Sequence, residues 1–174
     1  MRVRSFIIAA CTLPLSLSLP QSSIAQVPAK RLTIQVAGSI KKKEPDWRYV
    51  MGFCTCPPLL PSQVYDDVAS WSRGRADSRS EWVAIEIYLI GNKKEAIDFL
   101  SRFGSGRARI HSSIQKYELG DEAFLIDKTA EKTANPIEMW MRKDHFIIHI
   151  DGSLPGTVIR FAQYTLKDLP VSPQ

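Results

Sequence analysis

"IEMWMRKDHFIIHID", residues 137–151, is the stretch that decides the fold. Ile137, Met139 and Met141 alternate with polar neighbours up to Lys143 and Asp144, and Phe146, Ile148 and Ile150 resume the alternation beyond. A period of two on both sides of a short polar break is the pattern of a hairpin with one buried face. With its tip at Lys143 and Asp144, Arg142 faces His145, Met141 faces Phe146, Met139 faces Ile148 and Glu138 faces His149. The apolar side chains then share one side, and the sheet is antiparallel at this point.

Upstream, "EWVAIEIYLI" (residues 81–90) sets Val83, Ile85, Ile87 and Leu89 on one face and Trp82, Ala84, Glu86 and Tyr88 on the other, a half-buried strand that Gly91 ends. The period then changes. In "NKKEAIDFLSRFG" (residues 92–104) Ala96, Ile97, Leu100 and Phe103 recur at helical spacing, Asn92 and Glu95 form a start like a capping box, and Gly104 suits a helix end. Downstream, "SLPGTVIRFAQYTLKDL" (residues 153–169) places Val158, Phe161, Ala162, Thr165 and Leu169 along one helical stripe, with Pro155 near its start. "EAFLID" (residues 122–127) is a strand entered through the turn residues Gly120 and Asp121.

Towards the N-terminus the signals are shorter. "WRYVMGFC" (residues 47–54) reads as a strand ended by Pro57, Pro58 and Pro61, and "SQVYDDVASW" (residues 62–71) as a short helix capped by Ser62 or, the reading preferred for Val68 to Trp71, a strand entering a hairpin. "RLTIQV" (residues 31–36) alternates at Leu32, Ile34 and Val36 and reads as a strand, with the following "KKKEPD" a solvated turn. The expected architecture is α+β, a largely antiparallel sheet with two main helices packed on one face. The expected division is a signal peptide over residues 1–25, an N-terminal strand and polar linker over 26–46, one domain over 47–170, and a tail over 171–174.

The leader has three parts: Arg2 and Arg4, then the apolar "FIIAACTLPLSLSLP", then "QSSIA", whose Ser23 and Ala25 suit a cleavage enzyme. The small-small-Cys pattern ending at Cys11 allows a lipid-attached alternative, but too few residues separate it from Arg4 to form the usual apolar region. Pro14 and Pro20 interrupt the run, which is too short to remain as a membrane span. Export to the periplasm or beyond is the expectation. Removal of residues 1–25 takes two of the 23 basic residues and none of the 18 acidic ones, leaving a net charge of +3. That excess is too small for a nucleic-acid binder.

In the oxidising compartment Cys54 and Cys56 would ordinarily pair. With one residue between them a disulfide ring is strained, and two thiolates supply only half of a zinc shell. The pair therefore stands as inert, as a strained or intermolecular disulfide, or as a site of copper or zinc chemistry. His145 and His149 lie on one side of one strand, but about 13 Å apart at the usual rise, too far to share a metal. A solvated contact between His149 and Glu138 is the plainer expectation. His111 beside Ser112 and Ser113 makes no triad, there is no nucleophile elbow, and no cofactor is expected.

In "LGDEAF" (residues 119–124) the adjacent Asp121 and Glu122 diverge on extended chain, so they turn the chain rather than act as an acid/base pair. This segment, followed by a strand, a hairpin and a terminal helix over residues 81 to 169, resembles a layout of uncharacterised secreted bacterial domains. The resemblance implies export and an α+β sheet, and no catalytic residues.

Two surfaces are candidates for partners. Arg73, Arg75 and Arg79 in one loop and Arg107 and Arg109 in another present planar donor forks suited to an anionic ligand. Trp82, Tyr88 and Trp140 fall on the side of the sheet that alternation assigns away from the core, where aromatic rings suit another envelope protein. A non-catalytic binding or accessory domain is the leading expectation, and a thiol-dependent envelope enzyme using Cys54 or Cys56 the alternative.

Overall fold

A computed structural model describes residues 31–52, 57–74, 81–107 and 113–170. In chain order the elements are α1 (Leu32–Lys43), β1 (Arg48–Met51), β2 (Gln63–Arg73), β3 (Glu81–Ile90), α2 (Lys93–Arg107), β4 (Ile114–Tyr117), β5 (Glu122–Asp127), β6 (Ile137–Lys143), β7 (Phe146–Gly152) and α3 (Pro155–Asp168). The strands form one antiparallel sheet in the order β1-β2-β3-β7-β6-β5-β4. The protein is α+β, as the alternation predicts.

The hairpin that opens the sequence reading forms between β6 and β7, and its faces are as expected. Met139, Met141, Ile148 and Ile150 are buried in the larger core with Val83, Ile85 and the α3 stripe. The register differs by two residues: Met141 faces Ile148, Met139 faces Ile150, and Trp140, not Glu138, faces His149. The cause is the turn, which occupies Asp144 and His145, with Asp144 in the left-handed region at φ 54°. Moving a two-residue turn by one position shifts the pairing by two, which preserves the faces. The Asp121 side chain secures it, accepting from the Asp144 N–H at 2.7 Å and from Arg142 Nη1 at 2.6 Å.

Residues 32–36 correct the expected N-terminal strand: they open helix α1. Thr33 is buried together with Leu32, Val36 and Ile40, a set that a helix brings to one side and strand alternation does not, whereas Ile34, which the strand reading counted as core, is 47% exposed. The lysine run is the last turn of this helix, where cations meet the negative end of its dipole. α1 packs with α3 and against β2 and β3, so the segment expected to be a linker belongs to the core.

The helices expected on one face are divided between both. α1 and α3 cover one side, while α2 lies on the other, where Ala96 and Leu100 join Ile90, Trp140 and Ile147 in a second, smaller core. The link Gly91–Asn92 turns the chain towards the side that Ile90 already faces, and the Asn92 side chain caps the first turn by accepting from Lys94 N at 3.0 Å.

Gly104 does not end α2, which continues to Arg107. Its role is close approach, because a Cβ at Gly104 would collide with the Phe124 ring. Gly104→Ala is expected to lower stability by about 1–3 kcal/mol through overpacking, despite alanine's better helix propensity. Thermal unfolding tests this, and a raised midpoint would contradict the packing.

Candidate functional site

The side of the sheet carrying α2 also carries a cluster of charged groups. Strand alternation puts Glu86 and Tyr88 of β3, Glu138 and Trp140 of β6, and His149 and Asp151 of β7 on this side, and the order β3-β7-β6 makes them neighbours. His149 faces Glu86 on one flank and Trp140 on the other. Its Nδ1 is 3.2 Å from Glu86 Oε2, and its Nε2 is 3.5 Å from both Glu138 Oε1 and Asp151 Oδ1. The imidazole thus sits among three carboxylates.

Each carboxylate has further support. Glu138 accepts from Trp140 Nε1 at 2.5 Å and from Lys128 Nζ at 2.8 Å. Asp151 accepts from Asn135 Nδ2 at 3.4 Å, and Glu86 from the Tyr88 hydroxyl. The His149 ring stacks on Trp140 with centroids 4.1 Å apart and planes 19° apart. Trp140 meets Phe103 and Phe99 of α2 on centroid distances of 4.9 and 5.6 Å. One chain of contacts therefore joins the carboxylates to α2.

Burial disfavours charge on His149, but Asp151, Glu138 and Glu86 outweigh it and hold its proton well above the ordinary imidazole value. Glu86 is held below the usual carboxylate range, chiefly by His149. Burial opposes charge on Glu138 too, yet His149, Lys128 and Trp140 together hold it well below that range. Burial and the adjacent Glu86 push the Tyr88 phenol up, so it stays a donor. The His149 contribution to stability is fully present below the ordinary 6.5 and is lost as pH rises through its raised value. Those of Glu86 and Glu138 are present above the ordinary 4.5 and are lost as pH falls through their lowered values.

The solvated pair expected between His149 and Glu138 is thus a buried contact inside a larger cluster. An imidazole that holds its proton is a fixed cation and a poor base. Among the described residues no group of three His, Cys, Asp or Glu side chains is arranged to hold a metal ion. His145 stands apart, with its Nδ1 2.9 Å from the Ile90 carbonyl.

The residues singled out from sequence are dispersed. Trp140 is buried beneath α2, and Tyr88 is half-buried beside it, so neither offers a free ring. Trp82 is half-buried on the part of this side that lies over β2 and β3, next to Ser72. Arg73 is 3.0 Å from Glu81 and stands 5.2 Å from the Trp47 ring centre, which ties it to the fold. Arg107 is the last residue of α2. Arg75, Arg79, Arg109, Cys54 and Cys56 lie outside the described residues.

The reading from sequence missed Glu86, Glu138, His149 and Asp151 as a group. Alternation does place all of them away from the core, which was the available signal. That β3 pairs with β7, across more than fifty residues, was not legible. No family model, curated relative or solved structure matches this chain.

Proposed function

We propose that this is an exported, non-catalytic binding domain that meets another envelope protein with the half of the sheet lying beside α2, over β1, β2 and β3. One observation carries this reading. Val50, Ser70, Ser72, Trp82 and Ala84 share that side and are half-buried or exposed, Val50 at 54%, whereas Ala69, Trp71, Val83 and Ile85 on the reverse side are sealed under α1 and α3. A strip of small residues with one aromatic ring, the exposed Arg48 in its row and an apolar edge suits a protein surface. The carboxylates of Glu86 and Asp151 border it, which favours a protein over an anionic ligand there.

The leader supports export, and no described helix is long and apolar enough to cross a membrane. The fixed charge on His149 supports binding over catalysis. The test is affinity capture from native envelope, using the mature chain with its own leader removed. Trp82→Asp is expected to weaken retention of the specific partner by about tenfold or more, the usual effect of losing an aromatic anchor. Ile97→Asp, on the exposed side of α2, is expected to leave it unchanged. Equal retention by both variants would overturn the assignment of the surface. A chain recovered from the cytoplasm with its leader intact would overturn export.

A further inference from the structure

We propose that α2 is a proton-gated flap, closed over the sheet while His149 is an imidazolium and free to open when that proton passes to bulk water. The geometry carries the link in three steps. His149 is the cation among Glu86, Glu138 and Asp151, and among the described residues the one other positive group at these carboxylates is Lys128, on Glu138. Without its proton, the carboxylates from β3, β6 and β7 face one another across a half-buried site, and admission of water is the available relief.

Trp140 transmits that relief. Its indole donates to Glu138, stacks on the His149 ring, and supports Phe99 and Phe103 on its other side. Water entering at Glu138 therefore loosens the surface on which α2 rests. α2 is also the layer with least to lose, because it rests on the smaller of the two cores. Local opening draws on such weakly packed units.

Among the described residues no other titratable group competes. Tyr88 faces the cluster as a neutral donor to Glu86, and Asp66 lies beyond it, opposite Tyr88 on β2. On α2 itself Lys93 is paired with Asp144, Lys94 with Asp98, and Glu95 accepts from Ser62 N, all away from His149.

The proposal fixes a slope. If opening releases one proton, the population of the open flap rises about tenfold per pH unit between the ordinary imidazole value and the value in the closed state. Amide hydrogen exchange of the mature chain across neutral to alkaline pH reads this, after correction for the pH dependence of intrinsic exchange. α2 amides should follow that slope in the wild type while α3 amides stay flat, and in His149→Gln the α2 slope should vanish. Should His149→Gln not fold, Glu86→Gln keeps the cation and two of its partners, and its slope should end at a lower pH than in the wild type. A flat α2 profile in the wild type would overturn the proposal. So would equal slopes in α2 and α3, which mean global unfolding, or an α2 slope that survives in His149→Gln.

Discussion

Asp67→Ala is expected to cost about 3–5 kcal/mol, the loss seen when one member of a buried ion pair is removed. Asp67 lies on β2 beneath the start of α1 and is buried. Its Oδ2 accepts from Thr33 N at 2.9 Å, from Thr33 Oγ1 at 2.9 Å and from the Tyr65 hydroxyl at 3.1 Å, and its Oδ1 from Arg31 Nε at 2.7 Å. One carboxylate therefore supplies the missing cap of α1 and neutralises the arginine before it. Burial, together with Asp67, pushes the Tyr65 phenol up to about 12, so it remains a donor throughout the neutral range. Without Asp67, Arg31 loses its carboxylate while keeping the carbonyls of Gly52 and Val68 at 3.1 and 3.0 Å, and the first turn of α1 loses its acceptor. Asp67→Asn keeps an acceptor but removes the charge, and about 1–3 kcal/mol is expected for it. Urea denaturation measures both, and a loss under about 1 kcal/mol for the alanine variant would contradict the role given to this residue.

Glu138→Leu is expected to cost a comparable amount, about 3–5 kcal/mol. Leucine approximates the volume, but the change leaves the Lys128 ammonium, the Trp140 indole N–H and one side of His149 without their acceptor. The side chains of both Lys128 and Glu138 are largely buried, at 16% and 7% exposure, so water does not readily replace the lost partner. The accompanying sign is informative. With one carboxylate gone the His149 proton is held less tightly, so the alkaline fall in stability, which begins near the ordinary 6.5 in both proteins, ends at lower pH and is smaller than in the wild type. Glu138→Gln, which keeps an acceptor for Trp140, should be milder. Denaturation at pH 6 and at alkaline pH measures these effects, and a neutral Glu138→Leu would show that the cluster is not structural.

Long periodic segments were legible in the sequence because their side chains obey one period without exception. The α3 stripe and the β3 alternation are of this kind, and both are buried as read. Leu32, Ile34 and Val36 alternate as a strand would, and the helix shows only where hydropathy misleads, in a buried Thr33 and an exposed Ile34. The face of each hairpin residue was legible while its partner was not, since a turn one residue later keeps the faces and changes every pair. α2 was assigned to the wrong side of the sheet because Ala84, Glu86 and Tyr88 form a mixed row that does not announce a covering layer. The carboxylate cluster was least legible of all. Its members come from β3, β6 and β7, and only the non-local pairing of β3 with β7 joins them.

The account rests on an imidazole held protonated through neutrality between carboxylates, and direct titration of the His149 ring by NMR reads that charge. The expected result is a ring that remains protonated through neutrality and loses its proton only well above 6.5, while His149 in Glu138→Gln titrates lower than in the wild type. A His149 that titrates at or below 6.5 would contradict the account, and the flap and the fixed-cation reading would fall with it.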